Sequence, residues 1–160
     1  MIKLEKINKT YQIGDSQLRA LCDVSLEIES GEYLSVMGPS GSGKSTLLNM
    51  IGLLDRPDSG HYWFDQIATE ELNEERRAKL RGENIGFIFQ SFHLIDRLSA
   101  FENVELPMML AGQPLKQRRS AVADVLAMVG LSERASHKPS QLSGGQLQRV
   151  AIARAIVMRP

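Results

Sequence analysis

The chain has 160 residues, enough for one domain with a sizeable hydrophobic core. Its 19 Lys and Arg residues balance its 19 Asp and Glu residues, and a net charge of zero gives no electrostatic reason to expect a nucleic-acid partner. Cys22 is the only cysteine, which excludes an internal disulfide, and the scattered histidines His61, His93 and His137 predict no metal site. No stretch of about 18 apolar residues occurs, so we expect a soluble chain that reaches a membrane only through a partner.

The first third of the chain alternates strand, turn and helix patterns. Residues 2–7 and 24–28 alternate apolar and polar side chains, which predicts two half-buried strands around a polar, turn-like segment at 12–17. The apolar run at 33–37 predicts a buried strand. Apolar residues at helical spacing over 44–54 predict a helix directly after it.

The rest of the chain changes from mixed structure to helix. A short strand is predicted at 62–64 and a strongly apolar strand at 85–89, with a charged, exposed helix at 70–83 between them. Apolar stripes then predict helices over 115–129 and 143–158, the last one capped by its first residue, a serine. This layout predicts a strand-rich first part that begins an α/β sheet, followed by a helical insert.

Residues 38–46 read GPSGSGKST and match the P-loop pattern of a glycine, four residues, and Gly-Lys-Ser. Glycines let successive backbone N–H groups turn toward phosphate oxygens, and a helix that begins at Lys44 adds its positive N-terminal dipole. Lys44 can reach terminal phosphates, and the Ser45 hydroxyl can bind Mg²⁺. A flexible linker would not lie between a buried strand and an amphipathic helix, so we expect a bound nucleoside triphosphate. The candidate binding residues are Gly38, Pro39, Ser40, Gly41, Ser42, Gly43, Lys44, Ser45 and Thr46.

A second motif at 142–146 reads LSGGQ and is followed by QRVAIARA at 148–155. At these residues the chain resembles the ATP-binding subunits of ABC transporters, whose signature motif is LSGGQ. The resemblance covers the whole chain and implies an α/β P-loop NTPase (RecA-like) core with an N-terminal antiparallel β subdomain and a helical insert. It also implies ATP and Mg²⁺ as cofactors, and a head-to-tail homodimer in which the signature of one subunit closes over the ATP bound by the other. The signature residues are Leu142, Ser143, Gly144, Gly145 and Gln146.

The resemblance assigns roles to further residues. Tyr11 stands where an aromatic ring stacks on adenine, and Gln90 matches a glutamine that contacts Mg²⁺ and the attacking water. Gln90 and Lys44 are therefore the catalytic candidates. The segment from Gln90 to Pro107 is expected to face transmembrane permease subunits, which implies a peripheral protein on the cytoplasmic face of a bacterial inner membrane.

Four stretches resemble one subgroup, the ATPases of lipoprotein release and macrolide export. The implied function is an ATPase subunit that powers a transporter through ATP-driven dimerisation. Two alternatives stay open: a soluble ABC-type ATPase that acts on nucleic acid or ribosomes, and a nucleotide-binding regulator without turnover. The stretches are MGPSGSGKSTLLN at 37–49, GLLDRP at 52–57, GFIFQSF at 86–92 and ENVELP at 102–107.

The family's acidic strand, which carries the catalytic glutamate, has no match in the sequence. The run at 62–64 closes with Asp65, but it precedes Gln90 and follows a Pro-Asp-Ser-Gly turn, which predicts a surface hairpin. In the family the glutamate and a switch histidine follow the signature helix, so we expect them beyond Pro160, and we expect the 160 residues alone to hydrolyse ATP poorly and to be unstable. We expect one truncated ATP-binding domain: a β subdomain with the P-loop core (1–90), a helical subdomain (91–142) and the signature helix (143–160).

Overall fold

The alternating pattern of the N-terminal segments forms a long β-hairpin. In the computed structural model, which describes residues 1–160, strand β1 covers Ile2–Ile13 and β2 covers Ser16–Ile28. The two strands pair antiparallel, and the turn between them lies inside the predicted segment 12–17. Both predicted strands are confirmed. They extend beyond the predicted ranges because cross-strand hydrogen bonding continues into the polar residues near the turn.

The remaining predicted elements are found with shifted ends, apart from two strands. The helix predicted at 70–83 begins later, because the Asn73 side chain accepts a hydrogen bond from Arg76 N at 2.9 Å and so caps a helix that starts after it. Three short 3₁₀ turns lie at Thr69–Glu71, Ser132–Arg134 and Pro139–Gln141. The other elements are α1 (Lys44–Ile51), β3 (Ser59–Phe64), β4 (Ile67–Ala68), α2 (Glu74–Asn84), α3 (Ala100–Leu110), α4 (Leu115–Met128) and α5 (Gly144–Ile156).

The backbone divides into two compact units, Met1–Lys79 and Leu80–Pro160. The first unit holds one antiparallel sheet with the strand order β2-β1-β3-β4, and helix α1 contributes the buried Met50 to its core. The expected single domain, with subdivisions after residues 90 and 142, stays a prediction. The most deeply buried apolar side chains of the first unit are Leu4, Ile7, Leu21, Met50, Leu53 and Tyr62.

Two predicted strands are wrong. Residues 33–37 and 85–89 form no strand in the structure, and the sheet consists only of β1 to β4. Tyr33 is 92% exposed and Met37 is 88% exposed, so this apolar run is not buried. An apolar run favours a buried strand only where neighbouring strands offer partners for its N–H and C=O groups. The antiparallel strands β1 to β4 pair with one another, and neither run is added to an edge of their sheet.

The second unit is built on α3, α4 and α5, whose apolar side chains recur every three or four residues and meet in one core. Asn103 is fully buried on α3, and its side-chain amide donates to the carbonyls of Ile95, Leu98 and Ser99 at 2.9–3.1 Å. This amide fixes the loop that leads into α3. The core residues are Ala100, Val104, Met108, Val122, Leu126, Leu131, Val150, Ala153 and Val157. None of the helices is both long and apolar enough to cross a membrane.

Candidate functional site

The predicted P-loop lies against the hairpin and leads directly into α1. Gly43 precedes the helix with φ of 86°, in the left-handed region that favours glycine, and its carbonyl accepts from Leu47 N at 2.8 Å. A Cβ at Gly43 would lie 2.3 Å from the carbonyl oxygen of Ala20 on β2. The loop therefore takes this path only with glycine at this position, because any side chain would collide with the strand backbone.

The Lys44 ammonium lies against the backbone of its own loop. Its Nζ donates to the carbonyl oxygens of Gly38 at 2.9 Å and Pro39 at 2.6 Å. Lys44 is also the first residue of α1, so its charge and the free N–H groups of the first helical turn lie at the same end of the helix. This combination attracts anions.

A cavity of about 240 Å³ joins the P-loop to the predicted adenine-binding tyrosine. Tyr11 supplies an aromatic ring to its wall, Lys44 supplies an ammonium, and the exposed Ser45 supplies a hydroxyl. One cavity thus combines a surface for a planar base with groups that bind phosphate. It is lined by Tyr11, Leu18, Ala20, Gly41, Gly43, Lys44, Ser45 and Thr46.

Tyr11 is fixed by a small charged network. Its hydroxyl donates to Asp55 Oδ2 at 2.7 Å, and Lys9 Nζ lies 2.8 Å from Asp55 Oδ1 and 5.4 Å from the centre of the Tyr11 ring. Burial raises the pKa of Tyr11, and its hydrogen bond to Asp55 raises it further. Burial alone would raise the pKa of Asp55, but the hydrogen bonds from Lys9 and Tyr11 outweigh it and hold that pKa below its ordinary value.

A larger cavity, of about 880 Å³, lies elsewhere on the sheet and does not fit a nucleotide. Its walls include the carboxylates of Glu5 and Glu27 beside Lys3 and Lys6, and Lys3 is already paired with Glu5 at 2.7 Å. Carboxylates repel phosphate, and this cavity has no glycine-rich loop or helix N-terminus. The smaller cavity is therefore the candidate site.

A metal ion at the P-loop would depend on the phosphates for most of its ligands. The structure has no group of three or more His, Cys, Asp or Glu side chains that could hold a metal. Ser45 offers one hydroxyl in the first turn of α1. Mg²⁺ commonly takes few protein ligands and binds together with substrate phosphates. The residues present therefore fit Mg²⁺ that arrives with a nucleotide.

The LSGGQ motif forms the exposed start of α5. Ser143 Oγ accepts from Gln146 N at 3.4 Å, and the Gln146 side chain accepts from Ser143 N at 2.8 Å, which makes a capping box. The predicted serine cap is confirmed. Gly144 and Gly145 are the first helical residues, are exposed and carry N–H groups with no partner inside the helix. The end of α5 is at Ile156, two residues before the predicted end.

Gln90 belongs to the second unit, whereas the P-loop belongs to the first. The expected contact of Gln90 with Mg²⁺ and water stays a prediction. Close to Gln90 in sequence, the carbonyls of Phe92 and His93 accept hydrogen bonds from Arg154 on α5, at 2.7 and 2.6 Å. The segment that follows Gln90 is therefore attached to the signature helix.

Asp65 closes the apolar run of the predicted surface hairpin. It joins β3 to β4 with φ of 52°, and its carboxylate binds the N-terminal ammonium of Met1 at 2.6 Å. His61 binds the Glu70 carboxylate at 2.8 Å, and His137 lies 3.0 Å from Arg134. Asp65 thus has a structural partner.

Sequence reasoning missed Asp55 and Arg154 as residues that organise the candidate sites. Asp55 lies 44 positions from Tyr11 in sequence, and Arg154 lies 61 positions from His93. Both residues fall inside motifs that carry the family resemblance, the GLLDRP and QRVAIARA stretches, but neither stretch indicates its distant partner.

Known proteins with similar sequences include ABC transporter ATP-binding proteins. The family model described as ABC transporter matches residues 21–160. The ABC transporter ATP-binding protein YvrO of Bacillus subtilis is 51% identical over 160 residues, which cover 100% of this chain and 70% of that protein. The macrolide export ATP-binding/permease protein MacB of Hyphomonas neptunium is 51% identical over 157 residues, covering 98% of this chain and 24% of that protein.

A solved structure agrees with the fold. The dimeric, post-hydrolysis structure of the ATP-binding cassette MJ0796 with ADP and Pi matches 100% of this chain and 71% of its own, with a TM-score of 0.92 and 48% identity. MJ0796 itself comes from Methanocaldococcus jannaschii. The match confirms the predicted α/β P-loop NTPase fold, with its antiparallel sheet and helices. The chain therefore belongs to the ABC transporter family, as one of its ATP-binding subunits.

Proposed function

We propose that this chain binds ATP as part of an ATP-hydrolysing subunit, which drives an export-type ABC transporter through ATP-dependent closure of a head-to-tail homodimer. The observation that carries the proposal is the single cavity that brings Tyr11 together with Lys44, Ser45 and Thr46. A base-stacking ring and a phosphate-binding loop on the same cavity are what a nucleotide requires.

Each part of the cavity has a proposed role toward ATP. The Tyr11 ring stacks on adenine, and the backbone N–H groups of residues 38–46 bind the phosphates. Lys44 exchanges the carbonyls of Gly38 and Pro39 for the terminal phosphates, which are stronger acceptors for an ammonium. Ser45 and Gln90 are the proposed Mg²⁺ ligands. Bound Mg²⁺ would neutralise the charge that develops on the transferred phosphoryl group.

The signature motif is proposed to act on the ATP of a second copy. The exposed N–H groups of Gly144 and Gly145 form an anion-binding helix terminus, separate from the one at Lys44. In a head-to-tail dimer, one such terminus from each copy would bind the same triphosphate, from opposite sides. The dimeric form of the relative MJ0796 with ADP and Pi supports this assembly.

The transporter is proposed to be of the macrolide-export or lipoprotein-release type. The support is the identity of 51% with a relative named as a macrolide export ATP-binding/permease protein. In this proposal the segment from Gln90 to Pro107 contacts the permease subunits, and the protein works at the cytoplasmic face of a bacterial inner membrane.

Calorimetric titration of Mg-ATP into the purified protein tests the proposed site. The Lys44→Ala variant should bind Mg-ATP about 100-fold more weakly, because it loses a charged hydrogen-bond donor to the phosphates. Lys116→Ala removes an exposed lysine on α4 and should bind like the wild type. Equal affinity of Lys44→Ala and wild type would overturn the proposal.

A further inference from the structure

The side chain of Asp55 connects the end of α1 to the ring that lines the nucleotide cavity. Its Oδ2 accepts from the Tyr11 hydroxyl at 2.7 Å. Its Oδ1 accepts from Lys9 Nζ at 2.8 Å and from Arg56 N at 2.7 Å. All of these donors hold the carboxylate in one orientation, so the Tyr11 hydroxyl meets an acceptor that is already fixed.

The backbone of Asp55 is anchored as well. Its carbonyl accepts from Arg77 Nη2 at 2.6 Å, and Arg77 is only 2% exposed. The same guanidinium nitrogen donates to the carbonyl of Leu53 at 3.2 Å. A buried Arg on α2 therefore fixes the turn that carries Asp55.

Tyr11 itself lies in a poorly buried part of the hairpin. Its neighbours Gln12 and Ile13 are exposed, and Ile13 is 60% exposed. The Tyr11 ring is half-buried and one part of it lines the cavity, so the bond from its hydroxyl adds an anchor at the far end of the side chain. That hydroxyl interacts with two groups, the Asp55 carboxylate and the hydroxyl of Thr46 in the P-loop. The ring is thus tied both to the phosphate-binding loop and to the turn after α1.

We propose that Asp55 is a positioning residue for nucleotide binding, which holds the Tyr11 ring in the orientation in which a nucleobase can stack on it. The inference rests on the proposed function, since it needs ATP in this cavity. It predicts a contribution of Asp55 to binding the base and none to binding the phosphates.

The test compares two ligands, Mg-ATP and Mg-triphosphate, which share phosphates but differ in the nucleoside. Asp55→Ala should lower the affinity for Mg-ATP about tenfold, because base stacking is lost in part. Its affinity for Mg-triphosphate should stay within about twofold of wild type. Tyr11→Phe keeps the ring but removes the hydroxyl. It should lower the affinity for Mg-ATP about fivefold and leave the affinity for Mg-triphosphate unchanged. The double variant should lose little more than Asp55→Ala, because both changes remove the same hydrogen bond.

Two further variants separate positioning from charge and from local structure. Asp55→Asn should keep near wild-type Mg-ATP affinity, because a tyrosine hydroxyl can bond to either the oxygen or the nitrogen of the amide. Asp58→Ala is the matched control: this carboxylate also faces Lys9, at 3.6 Å, and it accepts from Thr10 N rather than from Tyr11. It should change neither affinity.

Each outcome decides the inference. Equal weakening of both ligands in Asp55→Ala would show a general structural role and overturn the proposal, as would unchanged Mg-ATP binding by Tyr11→Phe. If Asp55→Ala does not fold, Asp55→Ser takes its place: the shorter side chain loses the bond to Tyr11 but keeps a polar group in the turn, and it should weaken binding of Mg-ATP alone. If the wild type binds neither ligand, the proposed function fails instead.

Discussion

Arg154 donates a hydrogen bond of 2.6 Å to the carbonyl oxygen of His93. The other end of its guanidinium donates to the Phe92 carbonyl at 2.7 Å. Both acceptor residues are left-handed, with φ of 58° at Phe92 and 47° at His93, a conformation that is strained for side chains of this size. Since Arg154 lies on the helix that begins with the signature motif, α5 holds the segment after Gln90 in place.

Replacing Arg154 should destabilise the protein through these two carbonyls. Arg154→Lys retains a charge, but its single ammonium cannot bond to both carbonyls as the two guanidinium nitrogens do. We therefore expect a loss of about 2 kcal/mol in the free energy of unfolding. Urea unfolding measures it. Arg149→Lys is the control, since Arg149 lies exposed on the same helix and bonds the carbonyls of Val129 and Gly145 only at 3.1 and 3.4 Å. If both variants are equally stable, the two Arg154 bonds to Phe92 and His93 do not contribute specifically to stability.

A bulky cation at the signature motif should block dimerisation. Ser143→Arg places a long charged side chain beside the exposed N–H groups of Gly144 and Gly145, so a second copy cannot approach them. Sedimentation velocity with a non-hydrolysable ATP analogue should show a dimer for the wild type and a monomer for the variant. Binding of the analogue to the monomer should persist. Ser132→Arg, on an exposed turn of the same unit, should still dimerise, and a dimer of Ser143→Arg would contradict the proposed assembly.

Two glycines of the P-loop should respond differently to alanine. Gly43→Ala adds a Cβ that would lie 2.3 Å from the Ala20 carbonyl oxygen, so the loop must move, and Mg-ATP binding should fall below detection. Gly41 has a similar φ of 80°, but a Cβ added there would meet no atom within 4 Å. Gly41→Ala should therefore show only backbone strain, about 1 kcal/mol in unfolding free energy. Calorimetry and urea unfolding give both quantities, and identical behaviour of the two variants would contradict the close approach to β2.

Acid should weaken the Asp55 network. The folded protein holds the pKa of Asp55 below its ordinary value of 3.8, so the carboxylate contributes stability above that value and loses it as the pH falls through the lowered pKa. Asp55→Asn removes this proton-linked contribution. The difference in unfolding free energy between wild type and Asp55→Asn should therefore shrink as the pH falls from about 5 to about 2. Urea unfolding across this range measures it, and a constant difference would exclude a charged Asp55 as its source.

The sequence predicted the local elements well where the pattern depended on nearby residues. The hairpin followed from alternation, and the serine cap of α5 followed from Ser143 and Gln146, which are three residues apart. The P-loop was predicted because its glycines, Lys44 and Ser45 lie within one short stretch. Its place beside Tyr11 rested on a family resemblance, since no spacing rule joins residues so far apart.

The wrong strand predictions and the missed hydrogen bonds have a common physical cause. Both kinds of feature depend on residues that are distant in sequence. Residues 33–37 and 85–89 have the composition of buried strands, but a strand forms only where another backbone lies alongside. The bonds of Asp55 to Tyr11 and of Arg154 to His93 likewise depend on tertiary packing. Charged residues are common in turns and on helix faces, so the presence of one in the sequence does not indicate which residue it will bond to.

The carbonyl oxygens of Gly38 and Pro39 compete with every anion that enters the loop for the Lys44 ammonium. A weak acceptor such as chloride cannot compensate for the loss of Gly38 O and Pro39 O, at 2.9 and 2.6 Å. A polyphosphate offers several charged oxygens at once and can replace both. We therefore expect the loop to prefer polyphosphates to simple anions, without a side chain dedicated to excluding them.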